Sequence, residues 1–401
     1  MKTSPDVHKA EPIPEAARKE IDALLSSGDL FRYTSGMDSP VSKLEKEFAE
    51  FLGVRYALAV NSCSSALFLS LRALGLGSGD KILLPAFTFA AVPSSVIHAG
   101  CEPVLVNVGE NYRILLDEFE EKLSGDVSAV MISHMRGHTS DMTEILRLCE
   151  ARNVPIIEDA AHSLGTTWSR RKIGSLGKVG CFSFQSYKLV NAGEGGILVS
   201  DDAEIMARAV IMSGAYEENW KKHPVVSDYF PQWQNKLPLF NLRMNNLSAA
   251  VIRPQLGEIP ARVKKGRLNH DYVAKILNAS DWFSVPAPLD LERRAPDSIQ
   301  FNLCHFEDDE EVLKFQGKAR DKGVEIQVFG LSQNNARTFW NWEFIGPQGD
   351  LTPTRNMLKR ACDVRLPVHL EKNVLDSVAN VLVSAADEVK ASATRLLSES
   401  A

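Results

Sequence analysis

The chain has 401 residues and a formal net charge of −6, with 44% hydrophobic and 24% charged residues. This length predicts two domains, and the lack of excess basic charge argues against nucleic acid or an anionic membrane as a partner. The sequence contains no apolar run of about 18 residues and no signal-peptide pattern. Six scattered cysteines without a C-x-x-C pair argue against disulfides or a metal site, so we expect a cytoplasmic enzyme or binding protein.

The first elements can be located from apolar spacing and turn residues. A short helix is predicted over 15–26, and the pair Ser42 and Glu45 forms a capping box that predicts a second helix ending at Gly53. A strand over 56–60 follows, and then the segment N-S-C-S-S-A-L, a hydroxyl-rich turn that opens a helix. Two interpretations of this serine turn stay open: ordinary N-capping, or a phosphate site made by free backbone N–H groups and the helix dipole.

Strands and helices then alternate. The predicted strands are 81–85, 103–108, 127–133 and 154–158, and the predicted helices are 87–98, 117–123 and 142–153. Short apolar strands separated by helices indicate an α/β fold with a mainly parallel sheet covered on both faces. Ligands of such sheets bind beyond the carboxyl ends of the strands. Asp159 and His162 follow one strand end and the serine turn follows another, so we expect them at the same edge.

The segment 180–199 contains an apolar run that ends in Lys188 and a glycine-rich turn at 193–196. A lysine between two strand-like segments is either a desolvated amine nucleophile or a side chain that points to solvent. The convergence of Lys188 with Asp159 and the serine turn at one sheet edge favours the nucleophile. The glycines would let the backbone turn tightly beside a bound ligand.

The C-terminal part of the sequence has a different pattern. An irregular segment rich in aromatic residues and proline, 225–239, predicts a long loop. Helices are predicted over 247–256, onward to 277, and over 310–322 and 375–397, with strands over 299–306 and 324–329. We therefore predict a large domain, 1–255, and a smaller α+β domain, 256–401.

Taken together, the residues at the sheet edge match the needs of pyridoxal phosphate (PLP). This cofactor requires a lysine for its aldehyde, a carboxylate at its pyridine nitrogen and an anion site for its phosphate. Lys188, Asp159 and the serine turn would supply these three groups. His162 could reach the ring hydroxyl, and Ser183 could add a hydroxyl at the phosphate.

Several motifs, in this order, resemble the DegT/DnrJ/EryC1/StrS family of sugar aminotransferases, which are PLP enzymes of fold type I. They span about residues 31–383 and read L-E-K-E-F-A-E-F-L-G-V, N-S-C-S-S, P-A-F-T-F-A-A, E-D-A-A-H-S-L-G, F-S-F-Q-S-Y-K, N-L-R-M-N-N-L-S-A-A and R-L-P-V-H. The resemblance implies a large domain with a mainly parallel, seven-stranded sheet flanked by helices, and a smaller C-terminal domain.

The resemblance also implies roles for individual residues. Lys188 would form the Schiff base and carry the proton, Asp159 would pair with the pyridinium, and His162 would contact the ring oxygen. Phe89 would stack on the ring face, with core packing as the alternative for an aromatic residue in an apolar run. The implied phosphate contacts are Cys63, Ser64, Ser183 and, from a neighbouring subunit, Asn241. This last contact implies a homodimer with shared active sites.

A lysine at position 188 separates this chain from a subgroup that carries histidine there and deoxygenates keto sugars. The resemblance thus implies transfer of an amino group from glutamate or glutamine to a keto sugar, commonly a nucleotide-linked one, or to a related cyclic or sugar-acid ketone. Two alternatives stay open. One is other PLP chemistry on an amino acid, such as a lyase reaction or carbon–carbon bond formation, and the other is a non-catalytic regulator with the same fold.

Three segments depart from the family pattern. Arg136 stands where the family has an aromatic residue, and is either a surface charge or a bidentate ligand of a carboxylate or phosphate. The segment 216–239 lacks the usual residues, and T-F-W-N-W-E-F at 338–344 is unusually aromatic. Arg136 and Tyr216 are accordingly the candidate substrate contacts.

Overall fold

The computed structural model describes residue 7, residues 9–225 and residues 227–399. Over these residues the helices are α1 (Glu15–Ser27), α2 (Pro40–Leu52), α3 (Cys63–Ala73), α4 (Ala91–His98), α5 (Leu116–Leu123), α6 (Met142–Glu150), α7 (Ala203–Met212), α8 (Phe230–Trp233), α9 (Asn246–Leu256), α10 (Ile259–Leu277), α11 (Asp309–Asp321), α12 (Thr352–Arg360) and α13 (Lys372–Glu399). None of the helices described here has the length and apolar character needed to cross a membrane.

Several of the strands are only two residues long. They are β1 (Tyr56–Val60), β2 (Lys81–Pro85), β3 (Glu102–Val106), β4 (Ala129–Ser133), β5 (Ile156–Asp159), β6 (Thr167–Trp168), β7 (Arg171–Lys172), β8 (Val179–Ser183), β9 (Gly196–Ser200), β10 (Phe283–Ser284), β11 (Glu292–Arg293), β12 (Ser298–Leu303), β13 (Gln327–Val328) and β14 (Ala361–Arg365).

Seven strands form the large sheet, in the order β1-β9-β8-β5-β4-β2-β3. The pairs β2–β3, β2–β4, β4–β5 and β5–β8 are parallel, whereas β9 is antiparallel to both of its neighbours. All strands except β9 therefore end at the same edge of the sheet. The predicted seven-stranded, mainly parallel sheet is confirmed.

Helices cover both faces of this sheet. Along β1, Ala57 and Ala59 point into a core shared with α2, α5, α6 and α9, whereas Leu58 and Val60 point into a core shared with α3, α4 and α7. This alternation follows from the two-residue period of a strand. Burial on both faces explains why the strands are continuous apolar runs in the sequence.

A second, antiparallel sheet has the strand order β10-β12-β14-β13 and packs with α10, α11 and α13 around its own core. This arrangement confirms a smaller α+β part in the C-terminal region. A third small sheet joins β11 from that region to β6 and β7. The exact division of the chain between 255 and 256 stays a prediction.

The predicted start of α2 is wrong. Its cap is Ser39, whose side chain accepts a hydrogen bond from the backbone N–H of Ser42, and Pro40 occupies the first helical position. A proline at this position needs no N–H partner, which favours the earlier start. Glu45 does not reach back to the cap, because it is completely buried and paired with Arg32.

Two other predicted boundaries also change. Helix α4 begins at Ala91 instead of residue 87, since Phe87 forms a β-bridge with Thr338 before the helix starts. Pro93 consequently lies in the first turn, where an N–H group has no intrahelical acceptor. The predicted loop 225–239 contains α8, whose Phe230 ring stacks on the ring of Trp220 at a centroid distance of 4.8 Å.

Candidate active site

A cavity of about 470 Å³ lies at the edge of the large sheet where the parallel strands end. The segments that follow β1, β2, β4, β5 and β8 all contribute to its wall. The predicted site residues that line it are Cys63, Ser64, Phe89, Arg136, Asp159, His162, Ser183 and Lys188. The structure therefore brings most of the predicted site residues together at the expected edge.

Lys188 lies in the connection between β8 and β9, with its side chain in the cavity wall. Its Nζ is 2.9 Å from His162 Nε2. Loss of hydration, followed by the positive charge of Arg136, lowers the pKa of Lys188 from 10.5 to about 8. A larger fraction of the amine is consequently neutral near physiological pH, and the neutral amine is the nucleophilic form.

His162 is held as a neutral imidazole. Burial, followed by the positive charge of Lys188, lowers its pKa well below 6.5. A neutral ring nitrogen accepts a hydrogen bond from the Lys188 ammonium group, which matches the short distance between the two side chains. The pair thus positions the Lys188 amine inside the cavity.

Asp159 is the last residue of β5 and its side chain is buried, with 5% of the residue exposed. Its Oδ2 accepts a hydrogen bond from Ser133 Oγ at 2.8 Å, and its Oδ1 accepts one from the backbone N–H of Ala161 at 3.1 Å. Ser133 is its neighbour in the register of β4 and β5. These partners hold the carboxylate towards the cavity. Ser133 was not among the predicted site residues, because its only signal in the sequence was a position at a strand end.

The serine turn begins α3 beside Asp159. Ser62 is the cap, because its Oγ accepts a hydrogen bond from the backbone N–H of Ser65 at 3.1 Å. Cys63 and Ser64 are the first two helical residues, and N–H groups at such positions have no acceptor within the helix. Both residues line the cavity. The two interpretations of the turn are therefore compatible: Ser62 caps the helix, and the next residues present free donors and the positive end of the helix dipole.

Glycine is required where β9 passes this turn. A Cβ atom on Gly196 would lie 2.3 Å from the carbonyl carbon of Ser62 and 2.4 Å from the backbone nitrogen of Cys63. The preceding Gly193 has a φ of +76°, in the left-handed region that favours glycine. The glycine-rich turn therefore serves the close approach of two backbones as well as the turn itself.

Phe89 and Ser183 complete the predicted wall. Phe89 is 42% exposed, so the core-packing interpretation is wrong; Phe87 is the residue that is buried there. The guanidinium carbon of Arg337 lies 5.7 Å from the centre of the Phe89 ring. Ser183 is the buried last residue of β8, and its Oγ accepts a hydrogen bond from the backbone N–H of Gln185 at 3.3 Å.

Three arginines also line the cavity. The surface-charge interpretation of Arg136 is wrong, because the residue is 9% exposed and forms an ion pair with Asp363, with 2.5 Å between Nη2 and Oδ2. Arg337 and Arg365 come from the C-terminal region and were not predicted as site residues. Arg365 belongs to the R-L-P-V-H motif and Arg337 directly precedes the aromatic segment 338–344, but neither has a local pattern that indicates a cavity.

Asn241 and Tyr216 are not among the residues that line this cavity. Asn241 is exposed, as a contact with a neighbouring subunit would require. Tyr216 is also exposed, and the guanidinium carbon of Arg243 lies 5.5 Å from the centre of its ring. Their contacts with cofactor and substrate stay predictions.

Comparison with known proteins agrees with this fold. The family model for the DegT/DnrJ/EryC1/StrS aminotransferase family matches residues 13–383. The chain is 33% identical to the spore coat polysaccharide biosynthesis protein SpsC of Bacillus subtilis, over 62% of each chain. It is 31% identical to the GDP-perosamine synthase of Vibrio cholerae, over 62% of this chain and 65% of the relative.

Among solved structures, the putative sugar aminotransferase Spr1654 from Streptococcus pneumoniae, in its PMP form, is similar with a TM-score of 0.83. The match covers 96% of this chain and 98% of that structure at 18% identity, a level that indicates the fold alone. The sequence matches to SpsC and the GDP-perosamine synthase span less than two thirds of those relatives. The family model, by contrast, spans nearly the whole sequence, and we conclude that the chain belongs to the DegT/DnrJ/EryC1/StrS aminotransferase family.

Proposed function

We propose that the chain is a PLP-dependent aminotransferase that moves an amino group from glutamate or glutamine to a keto sugar or a related cyclic or sugar-acid ketone. The proposal rests on the meeting of Lys188, Asp159 and the N-terminus of α3 in one cavity. These groups come from three separate strand ends and match the three needs of PLP. The names of the two relatives, which concern a coat polysaccharide and the sugar perosamine, support a sugar as the acceptor.

The residues present fit the cofactor that aminotransferases of this family use. When bound, PLP supplies a ring that accepts electrons from the substrate carbon. Asp159 would keep the ring nitrogen protonated, and Phe89 would cover one face of the ring. The phosphate would be held by Ser183 and by the free N–H groups of Cys63 and Ser64, where the helix dipole also favours negative charge.

Lys188 would transfer the proton during the reaction, and His162 would orient the Lys188 amine. An amine with a pKa of about 8 accepts and releases a proton close to neutral pH, which is the range in which general acid–base catalysis is most effective. His162, kept neutral, accepts a hydrogen bond from the Lys188 ammonium and orients it in the cavity.

We further propose a homodimer in which Asn241 of one chain contacts the cofactor phosphate in the other. The exposure of Asn241 on the single chain supports this assignment. A cytoplasmic location remains the expectation from the cysteine pattern.

The amino-donor half-reaction tests the transaminase proposal. Adding glutamate or glutamine to the cofactor-loaded protein should convert the absorbance of bound PLP to that of its amine form. Lys188→Ala should slow this conversion about 10²–10⁴-fold, because it removes the proton carrier. If no amino donor converts the bound cofactor, transamination is excluded and other PLP chemistry takes its place.

A trapping experiment tests the non-catalytic alternative separately. Borohydride reduction of the PLP-loaded protein, followed by peptide mass mapping, should identify a pyridoxyl group on Lys188. An unmodified Lys188 would favour a regulator that has the fold without the chemistry.

A further inference from the structure

Three arginines in the cavity wall lie close enough to the pair of Lys188 and His162 for their charges to act on His162. Arg136 belongs to the connection between β4 and α6, Arg337 to the segment between β13 and α12, and Arg365 ends β14. All three line the same cavity although they are far apart in the sequence. Arg365 also packs on Tyr187, with its guanidinium carbon 4.9 Å from the ring centre.

Two of these arginines have unused donors. Arg136 donates from Nη2 to Asp363, and Arg337 donates from Nη1 to Gln327 Oε1 at 3.0 Å. The Nε atoms of both arginines are buried and have no hydrogen-bond partner. A buried donor without an acceptor is unfavourable, and a guanidinium group has five donors to satisfy. The protein therefore leaves each guanidinium group with unsatisfied donors, and the part of the group that lines the cavity can donate to the oxygens of a ligand.

The nearby carboxylate is already occupied. Asp363 accepts from Arg136 with Oδ2 and from Gln300 Nε2 with Oδ1, at 2.7 Å. The Arg337 side chain donates to an amide oxygen and lies over the Phe89 ring, and Asp363 acts on it as a nearby charge without a hydrogen bond among the described residues. Burial, followed by the positive charge of Arg136, lowers the pKa of Arg337 to about 10. The two arginines thus repel each other in a cavity where a bound anion would relieve the repulsion.

We propose that Arg136 and Arg337 bind a carboxylate group of a substrate beside Lys188, with Arg365 next to them in the wall. This inference rests on the proposed aminotransferase function and specifies the chemistry of its substrate. The planar guanidinium group matches the two oxygens of a carboxylate, which favours arginine over lysine at such a site. The carboxylate belongs either to the amino donor or to the keto acceptor.

The position of the arginines distinguishes this anion from phosphates. The cofactor phosphate has its own donors at the N-terminus of α3 and at Ser183. The charge of Arg136 acts on both Lys188 and His162, so the arginines lie close to the reacting amine. A carboxyl group attached near the reacting carbon would fall there, whereas the diphosphate of a nucleotide-linked sugar is separated from the keto carbon by the sugar ring.

Calorimetric titration of the PLP-loaded protein tests the site without requiring turnover. Maleate, an unreactive dicarboxylate, should bind the wild-type protein, and Arg337→Met should weaken this binding about 10–100-fold because a charge-assisted hydrogen bond is lost. Arg337→Lys should restore part of the affinity. Arg355→Met is the matched control, since Arg355 is an exposed arginine that packs on Trp340 outside the cavity.

Arg136 requires a compensated variant. Arg136→Met alone would leave the buried carboxylate of Asp363 without its cation and could disturb folding. The double variant Arg136→Met/Asp363→Asn removes both charges and should weaken maleate binding to the same extent as Arg337→Met. Both variants should still bind PLP, detected by its absorbance, because the proposed phosphate contacts at the N-terminus of α3 and Ser183 are intact.

The glutamate half-reaction identifies the source of the carboxylate. If Arg337→Met raises the glutamate concentration for half-maximal rate about 10–100-fold, the donor carboxylate binds there. If that concentration is unchanged while maleate binding is lost, the acceptor carboxylate binds there. Two results with maleate would overturn the proposal: no binding to the wild-type protein, or equal affinity in the wild type and both variants. Variants that lose binding of inorganic pyrophosphate but keep maleate binding would also overturn it, because the arginines would then bind a phosphate group. Maleate binding by a protein that no amino donor converts would instead refute only the aminotransferase function.

Discussion

At the scale of single residues, the properties of Lys188 depend on groups that are distant along the chain. Its amine lies against His162, and loss of hydration followed by the charge of Arg136 lowers its pKa. Gly196 shows the same dependence, because it is needed only where β9 passes the backbone of Ser62. The sequence shows that a lysine and a glycine stand at these positions. Their roles, however, depend on the groups that surround them in the folded chain.

The rate at which Lys188 captures PLP should rise through a pH of about 8, since only the neutral amine attacks the aldehyde and the folded protein lowers the pKa. Absorbance changes after mixing with PLP over about pH 6–11 measure this rate. Arg136→Met/Asp363→Asn should move the midpoint upward, because a nearby positive charge is removed. A wild-type midpoint near 10.5, the ordinary value, would contradict the assignment.

Gly196→Ala should destabilise the protein by about 1–3 kcal/mol, because the added methyl group would force the serine turn and β9 apart. Urea unfolding measures the free energy, and the same variant should bind PLP more weakly. Gly257→Ala is the control: its Cβ would have open space, so we expect no loss of stability. Equal unfolding curves for Gly196→Ala and wild type would show that the close approach is not required.

At the scale of elements, a buried polar cluster connects α2 to the N-terminal segment. Glu45 accepts hydrogen bonds from both terminal nitrogens of Arg32, at 2.9 and 3.0 Å, and from the backbone N–H of Ala59 in β1 at 2.9 Å. His223 lies 3.1 Å from Arg32 and joins the cluster from the segment before α8. The apolar pattern of α2 correctly predicted a helix. Glu45, however, belongs to this buried cluster and does not form the predicted capping box.

Arg32→Met should destabilise the protein by about 3–5 kcal/mol, since it leaves the buried Glu45 carboxylate without its cation. Arg147→Met removes a matching ion pair on the exposed surface of α6, where solvent screens the charges, and should change the unfolding midpoint very little. Comparison of the two variants by urea unfolding separates the effect of burial from the loss of an ion pair. Similar midpoints for both would refute the role of the cluster.

At the scale of the whole molecule, the cavity is assembled from both parts of the chain. The large sheet and its connections provide Asp159 and Lys188, whereas Arg337 and Arg365 come from the C-terminal region. The proposed dimer would add Asn241 from a second chain, so that one active site would depend on three regions of the sequence.

Mixed dimers test this shared site. Lys188→Ala and Asn241→Asp should each be inactive or weak alone, the latter because its charge repels the cofactor phosphate. Co-expression should restore about a quarter of wild-type activity, since a random mixture gives half mixed dimers with one intact site each. Differently tagged chains verify that mixed dimers form. Mixed dimers without restored activity, or a monomer in sedimentation, would contradict the prediction.

The sequence by itself determined the fold class and the central part of the site. Apolar runs separated by helical patterns predicted the parallel sheet, because burial on both faces leaves a local signal in each strand. The positions of Asp159, Lys188 and the serine turn after strand ends predicted their convergence, since parallel strands end at one edge. The resemblance to the family then supplied the roles that we propose for these residues.

Only the tertiary structure decided the arginine cluster, the pKa of Lys188 and the burial of Glu45. The ion pair between Arg136 and Asp363 joins residues 227 positions apart, and such a contact leaves no pattern in the sequence around either residue. The protonation state and hydrogen bonds of an ionisable side chain depend on its burial and on the charges near it. Both are determined by which segments the fold brings together. Residue types and local periodicity therefore specified the sheet edge, whereas the electrostatic environment at that edge arose from contacts between distant segments.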